Sequence, residues 1–273
     1  MERIQRALEL AHVRRAVETE LPLAGDSSPE ERAMLRSASQ TTAATELPRL
    51  AIDRARLRSR KVVFPEESTS AARAYRMLRA QLLHRARSNG LGTIGIVSSA
   101  SGEGKTLTAV NLALSLAADP NYSVTLIDLD LRRPSVAETL GISPPIGLET
   151  WLTNQQPVSS VLYGLEGIER LSVVPTLTPL AAASEALAGS RTRDLIETLR
   201  SMDGRRLVIV DLPPALLSDH VLNVSPLLDG FVLLVMEGKT LRDDVERVFE
   251  LLGRDRILGT VLNRSSDSEQ RAY

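Results

Sequence analysis

The sequence predicts an α/β domain in which a mostly parallel sheet carries helices on both faces, preceded by an N-terminal helix and a flexible linker. From residue 93 onward, short apolar runs alternate with helix-length segments, as parallel strands joined by helical crossovers require. One run, Thr93-Ile94-Gly95-Ile96-Val97, feeds a glycine loop, Ser98 to Thr106 (SSASGEGKT), that opens onto the helix-like Leu107 to Ala117. Two further runs end in aspartate, at Asp128-Leu129-Asp130 and at Asp211, where the C-terminal ends of parallel strands would deliver side chains to one edge.

In chain order, Ile4, Ala7, Leu8, Ala11 and Val17 recur at near-helical spacing and predict an amphipathic helix over 1–20. Its apolar face lacks aromatics, which suits a surface or partner helix better than membrane insertion. Residues 21–61 are expected to be a linker. Pro, Ser, Thr, Ala and Glu dominate as far as about Leu50 without a sustained period, and Arg49, Arg54, Arg56, Arg58, Arg60 and Lys61 then cluster against the single acid Asp53. That cluster reads as a solvated helix, with attraction to an anionic lipid surface as the alternative.

A folded domain is expected over 62–264. It opens with the strand-like Val62-Val63-Phe64, closed by Pro65, and a helix from Ser70 to Arg87. After the glycine-loop unit, strands are expected at 123–127, 171–174, 206–210, 230–236 and 258–262, and helices at 148–153, 184–201 and 241–252. The polar residues 265–273 are expected to be a flexible tail.

The totals narrow the functional class. Lysine plus arginine number 33 against 34 acidic residues, a formal net charge of −1, so no global attraction to nucleic acid is expected. The absence of cysteine excludes disulfides, zinc thiolate sites and a thiol nucleophile, and fits a reducing cytoplasm. No run of roughly eighteen apolar residues occurs, and the first twenty residues are charged throughout. The chain is therefore expected to be soluble, cytoplasmic, and brought to a membrane only by something else.

Strand, glycine loop and helix in that order bring backbone N–H groups and the positive end of a helix dipole to one point, which is how a polyphosphate is cradled. Ser101, Gly102, Glu103, Gly104, Lys105, Thr106 and Leu107 are the expected ATP-binding stretch. Lys105 would reach the β- and γ-phosphates, and the Thr106 hydroxyl would ligate Mg²⁺. The strict pattern GxxxxGK[ST] departs at its first position, where the chain has Ser99. Asp211 is the Walker B type candidate for the metal. One of Asp128 and Asp130 would orient or deprotonate the attacking hydroxyl.

These motifs resemble those of the bacterial tyrosine autokinases of exopolysaccharide assembly, which share a P-loop NTPase branch with the MinD and ParA type ATPases. The resembling segments are SSASGEGKTLTAVNLA, Ile127-Asp128-Leu129-Asp130-Leu131-Arg132-Arg133-Pro134, and Ile209-Val210-Asp211-Leu212-Pro213-Pro214. Asp229 to Val235 and Val261-Leu262-Asn263 are similar to later family segments, and the opening MERIQRALELA is similar to the subgroup found with exosortase-linked loci.

The resemblance implies transfer of the ATP γ-phosphoryl to a tail tyrosine, for which Tyr273 is the acceptor candidate. It implies catalytic roles for Lys105, Asp128, Asp130 and Asp211, metal contacts from Thr106, Asp128 and Asp211, and a place for Asn263 near the adenine. The implied partner is an inner-membrane polysaccharide chain-length or co-polymerase protein, with a homo-oligomer also implied.

Two departures bear on this. The tail carries one tyrosine where the family has several. The helix before the loop reads Arg73-Ala74-Tyr75-Arg76-Met77-Leu78-Arg79, with arginine where the family's ring-closing glutamate stands, which predicts repulsion at a ring contact. The alternative is therefore an ATPase switch that phosphorylates nothing. A MinD or ParA type positioning role has only the basic stretch 49–61 in its favour, because Ala100 stands where that branch carries a second lysine.

Overall fold

A computed structural model describes residues 47–154, 156–202 and 205–265. The expected helix 1–20, most of the linker and the tail with Tyr273 lie outside them.

The described residues form an eight-stranded sheet: β1 (Arg49–Leu50), β2 (Thr93–Ser98), β3 (Ser123–Asp128), β4 (Tyr163–Leu165), β5 (Ile168–Val174), β6 (Arg206–Asp211), β7 (Gly230–Met236) and β8 (Ile257–Asn263). The spatial order is β1-β4-β5-β3-β6-β2-β7-β8. Every pairing is parallel except β4 with β5. The helices are α1 (Arg54–Ser59), α2 (Ser70–Asn89), α3 (Lys105–Ala117), α4 (Val136–Leu140), α5 (Leu148–Thr153), α6 (Ala183–Ala188), α7 (Ser190–Ser201), α8 (His220–Val224) and α9 (Arg242–Leu252).

Successive strand residues point to opposite faces, so each central strand feeds two cores. Ile94, Ile96, Leu126, Ile209 and Leu234 pack with Leu57, Leu82, Leu83 and Leu112 on one side. Val97, Ile127, Val210, Phe231 and Leu233 pack with Trp151, Leu195, Leu199 and Val248 on the other. This two-sided burial explains why β2, β3, β6 and β7 read as continuous apolar runs.

Four expectations need correcting. The basic stretch is not linker: Leu47 onward belongs to the folded unit. β1 pairs in parallel with β4. In α1, Asp53 Oδ1 caps the helix by accepting from the N–H groups of Ala55 and Arg56, and Leu57 is fully buried. Two of its arginines are taken by Glu66 and Glu67, each at 2.7 Å, which leaves less positive charge for a lipid surface.

Val62 and Phe64 are buried, but the segment is not a strand. Its polar backbone is met by a side chain instead: the Val63 N–H donates to Asn111 Oδ1 (2.8 Å), and Asn111 Nδ2 donates to the Lys61 carbonyl (3.2 Å). The helix expected over 184–201 is two helices, because Gly189 is extended (ψ 160°) and restarts the chain at Ser190. Finally, β1, β4, α4 and α8 are additional elements.

On α2, Arg73 is exposed, whereas Arg76 donates to the Pro65 and Glu67 carbonyls and Arg79 to the Ser115 carbonyl. Both later arginines of the Arg-x-x-Arg-x-x-Arg series thus hold α2 against its own domain.

Candidate functional site

β2 and β6 are neighbours, as are β6 and β3, so the glycine loop, Asp211 and Asp128 emerge at one sheet edge. The register sets Asp128 directly beside Asp211. α3 begins at Lys105 without a side-chain cap, which leaves its first N–H groups to an outside acceptor. Gly102 (φ 78°) and Gly104 (φ 97°) adopt left-handed backbone that a side chain would strain, and a Cβ on Gly104 would run into Asn263 Nδ2. Ser99 has no such requirement. It is buried, and its hydroxyl donates to the Glu103 carboxylate (3.2 Å), so the missing first glycine costs the loop nothing.

A cavity of about 580 Å³ opens over the loop. Its lining includes Lys105, Thr106, Asp130, Arg132 and Ser135 together with Pro213, Pro214 and Leu217. Of the two aspartates left open by the sequence, Asp130 faces the cavity. Asp128 is fully buried, and its carboxylate accepts from the N–H groups of Ser135 and Val136 (both 3.0 Å) and Asp130 (3.2 Å). It ties the turn after β3 into place.

Thr106 Oγ1 donates to Asp211 Oδ2 at 2.6 Å and lies 2.8 Å from Ser135 Oγ. Asp211 Oδ1 is buried with no hydrogen-bond partner. A lone pair left bare in the interior is costly unless a cation or its water belongs there.

The electrostatics follow from that crowding. Burial pushes the Asp211 carboxyl up to about 7, against the pull of the Thr106 hydroxyl and Lys105. Asp128 is raised well above the carboxylate range by burial and by Asp211. Asp130 is also raised, chiefly by burial, although the Arg133 N–H and Lys105 oppose it. Lys105, only 6% exposed, is lowered by burial, with Asp211, Asp130 and Glu103 acting in the opposite sense.

Two predicted contacts take other forms. The Glu103 side chain points away from the cavity, accepting from the Ala100 N–H (2.9 Å) and the hydroxyls of Ser99 and Thr240, so only its main chain is left for a phosphate. Asn263 reaches the loop from behind, its Nδ2 donating to the Glu103 carbonyl at 2.8 Å.

Ser135, Lys239 and Thr240 escaped the sequence reading. A signal for the last two was present: Glu237-Gly238-Lys239-Thr240 repeats the tetrapeptide Glu103-Gly104-Lys105-Thr106. Among the described residues no helix is long and apolar enough to cross a membrane.

The chain is similar to several known proteins. The chain is 26% identical over 222 residues to the tyrosine-protein kinase YwqD of Bacillus subtilis, covering 80% of this chain and 91% of that one. It is 29% identical over 191 residues to the succinoglycan biosynthesis transport protein ExoP of Rhizobium meliloti, covering 66% of this chain and 23% of that much longer one. The solved kinase domain of the Escherichia coli tyrosine kinase ETK superposes with a TM-score of 0.67 at 26% identity, over 78% of this chain and 82% of that one. A sequence profile described as ParA, NUBPL iron-transfer P-loop NTPase, matches residues 91–270, well over half of the chain. With that profile spanning the glycine loop, both aspartate-tipped strands and β8, the chain belongs to the ParA family of P-loop NTPases.

Proposed function

We propose that this protein is an ATP-dependent tyrosine autokinase that serves exopolysaccharide biosynthesis or export. The observation that carries the reading is the cavity itself. It brings the glycine loop and the Asp130 carboxylate together with the apolar side chains of Pro213, Pro214 and Leu217, which would suit an aromatic acceptor. The names of the similar YwqD and ETK proteins support it.

The residues fit Mg²⁺-ATP by a test internal to the site: hard oxygen donors at Thr106 and Asp211, the latter with a bare buried oxygen, beside a loop whose glycine backbone admits close approach. Thr106 and Asp211 would hold the cation, with Asp128 positioning the turn behind them. The cation would neutralise charge on the phosphates. Ser101 to Leu107 would cradle the nucleotide and Lys105 would bind its terminal phosphates.

In the transfer, the tyrosine oxygen bonds to the γ-phosphorus as the bond to the β-phosphate oxygen breaks, and ADP leaves. Asp130, lifted by burial towards the range of a useful base, takes the phenolic proton. The acceptor assigned is Tyr273, delivered by the tail to its own or a second copy's site.

The proposed setting is the cytoplasmic face of the inner membrane, beside a polysaccharide chain-length or co-polymerase protein. The match to one segment of a longer biosynthesis transport protein supports such a partner. Arg73 on α2 favours a second reading, an ATPase switch without a protein acceptor.

Intact-mass spectrometry after incubating the full chain with Mg²⁺-ATP and the cytoplasmic segment of the membrane partner decides between them. The expected result is a phosphate mass gained by the wild type and lost in Lys105→Ala and Tyr273→Phe. ADP release with no mass gain would replace the kinase with the switch.

A further inference from the structure

Resting on the ATP reading above, we propose that Lys239 is a second phosphate-binding lysine, brought to the glycine loop from the end of the neighbouring strand β7 to act on the same terminal phosphates as Lys105.

Lys239 lies in the turn between β7 and α9 and is exposed, yet its ammonium is not spread into solvent. Nζ donates to the Ser101 carbonyl at 3.0 Å and stands 3.4 Å from where a Cβ on Gly102 would sit. Ser101 and Gly102 line the candidate cavity together with Lys105. An ammonium has three donors, and the carbonyl takes one of them.

The turn that carries Lys239 is fastened to the loop. The Thr240 hydroxyl donates to the Glu103 carboxylate and accepts from the Met236 N–H (2.8 Å), and the N–H groups of Lys239 and Thr240 both donate to the Met236 carbonyl. The Glu237 N–H donates to the Asn263 carbonyl at 3.1 Å, and Asn263 in turn holds the Glu103 carbonyl. Glu103 therefore spends its charge inside the loop, locking the turn that aims Lys239.

Burial is the main cause that lowers the Lys105 ammonium, and the Lys239 charge adds to it as a smaller influence in the same sense. Two cations held over one glycine loop are relieved by an anion placed between them, and a terminal phosphate carries that charge where the loop N–H groups also point.

The test is titration calorimetry of the full-length chain with Mg²⁺-ATP and Mg²⁺-ADP, using wild type, Lys239→Met, Lys239→Arg and Lys105→Met, with the melting temperature of each nucleotide-free protein. Lys239→Met is expected to weaken ATP by about tenfold and ADP by clearly less, the size of one charge-assisted contact at a partly exposed site. Lys239→Arg is expected to restore most of the affinity, and both variants to melt within a few degrees of wild type. Wild-type ATP affinity in Lys239→Met, alongside lost affinity in Lys105→Met, overturns the proposal and leaves the ATP site standing. Equal losses for ATP and ADP with a lowered melting temperature also overturn it, reducing Lys239 to a fastener of the loop. A wild type that binds neither nucleotide overturns the ATP reading and this inference together.

Discussion

Two aspartates at opposite ends of the sheet differ in nearly every physical respect. Asp229 precedes β7 at the end where β2 begins. Its Oδ2 accepts from the N–H groups of Gly92 (2.7 Å) and Thr93 (2.8 Å) and from the Thr93 hydroxyl (2.9 Å), and Arg200 lies 3.4 Å from Oδ1. Burial works to raise it, but those donors and the guanidinium prevail and hold its carboxyl below the usual range. Asp211, at the other end, receives one hydroxyl, keeps a bare oxygen in the interior and is raised to about 7. The first is satisfied by the fold. The second waits for something the fold does not contain, and that difference separates a stabilising carboxylate from a functional one.

The largest test of this contrast is Asp211→Asn. Phosphoryl transfer, followed by radiolabel from γ-labelled ATP, is expected to fall by about two to three orders of magnitude, as for loss of one preorganised electrostatic contact. Urea denaturation of the nucleotide-free chain is expected to show unchanged or higher stability, because a buried charge facing Asp128 is gone. A marked loss of stability would erase the distinction between the two carboxylates.

Asp229→Ala should invert that pattern. Stranding two N–H groups and a hydroxyl is expected to cost about 2–4 kcal/mol in the same denaturation experiment. ATP affinity of the remaining folded protein should be unchanged, and a selective loss of affinity would make Asp229 part of the site.

The pH dependence sharpens the comparison with a smaller signal. Asp211 binds its proton more tightly folded than unfolded, so its contribution is fully present below the unfolded value of about 3.9 and is lost as pH rises through about 7. Asp229, whose folded value is depressed, contributes above about 3.9 and loses that contribution only as pH falls through its lower folded value. Nucleotide-free stability should thus decline between roughly pH 4 and pH 7, by about 4 kcal/mol from Asp211, and the decline should become shallower in Asp211→Asn, where the raised Asp128 and Asp130 remain. A wild-type profile already flat in that window would remove the raised carboxyl.

Legibility in the sequence followed length and burial. β2, β3, β6 and β7 were visible because each is buried on both faces. β1 and β4 span two and three residues and find each other across more than a hundred positions, so no local period marks them. The basic stretch read as a solvated helix in a linker; that α1 is anchored in the domain was hidden by its arginines, because the burial of Leu57 counts for more than composition. The glycine loop and the aspartates were legible because strand ends and glycines are local signals. The direction of the Glu103 side chain was not, since it depends on Thr240, 137 positions away.

The sequence alone determined that a strand, a glycine loop and a helix would place Lys105 and Thr106 at the edge reached by Asp128, Asp130 and Asp211. Periodicity and strand direction are properties of the chain taken a few residues at a time, and they suffice for that. Only the tertiary structure decided that Asp130 rather than Asp128 faces the cavity, that one oxygen of Asp211 is left bare, and that Lys239 arrives over the loop. Each of those depends on which distant segments surround a side chain, and so on which of its hydrogen bonds are already made.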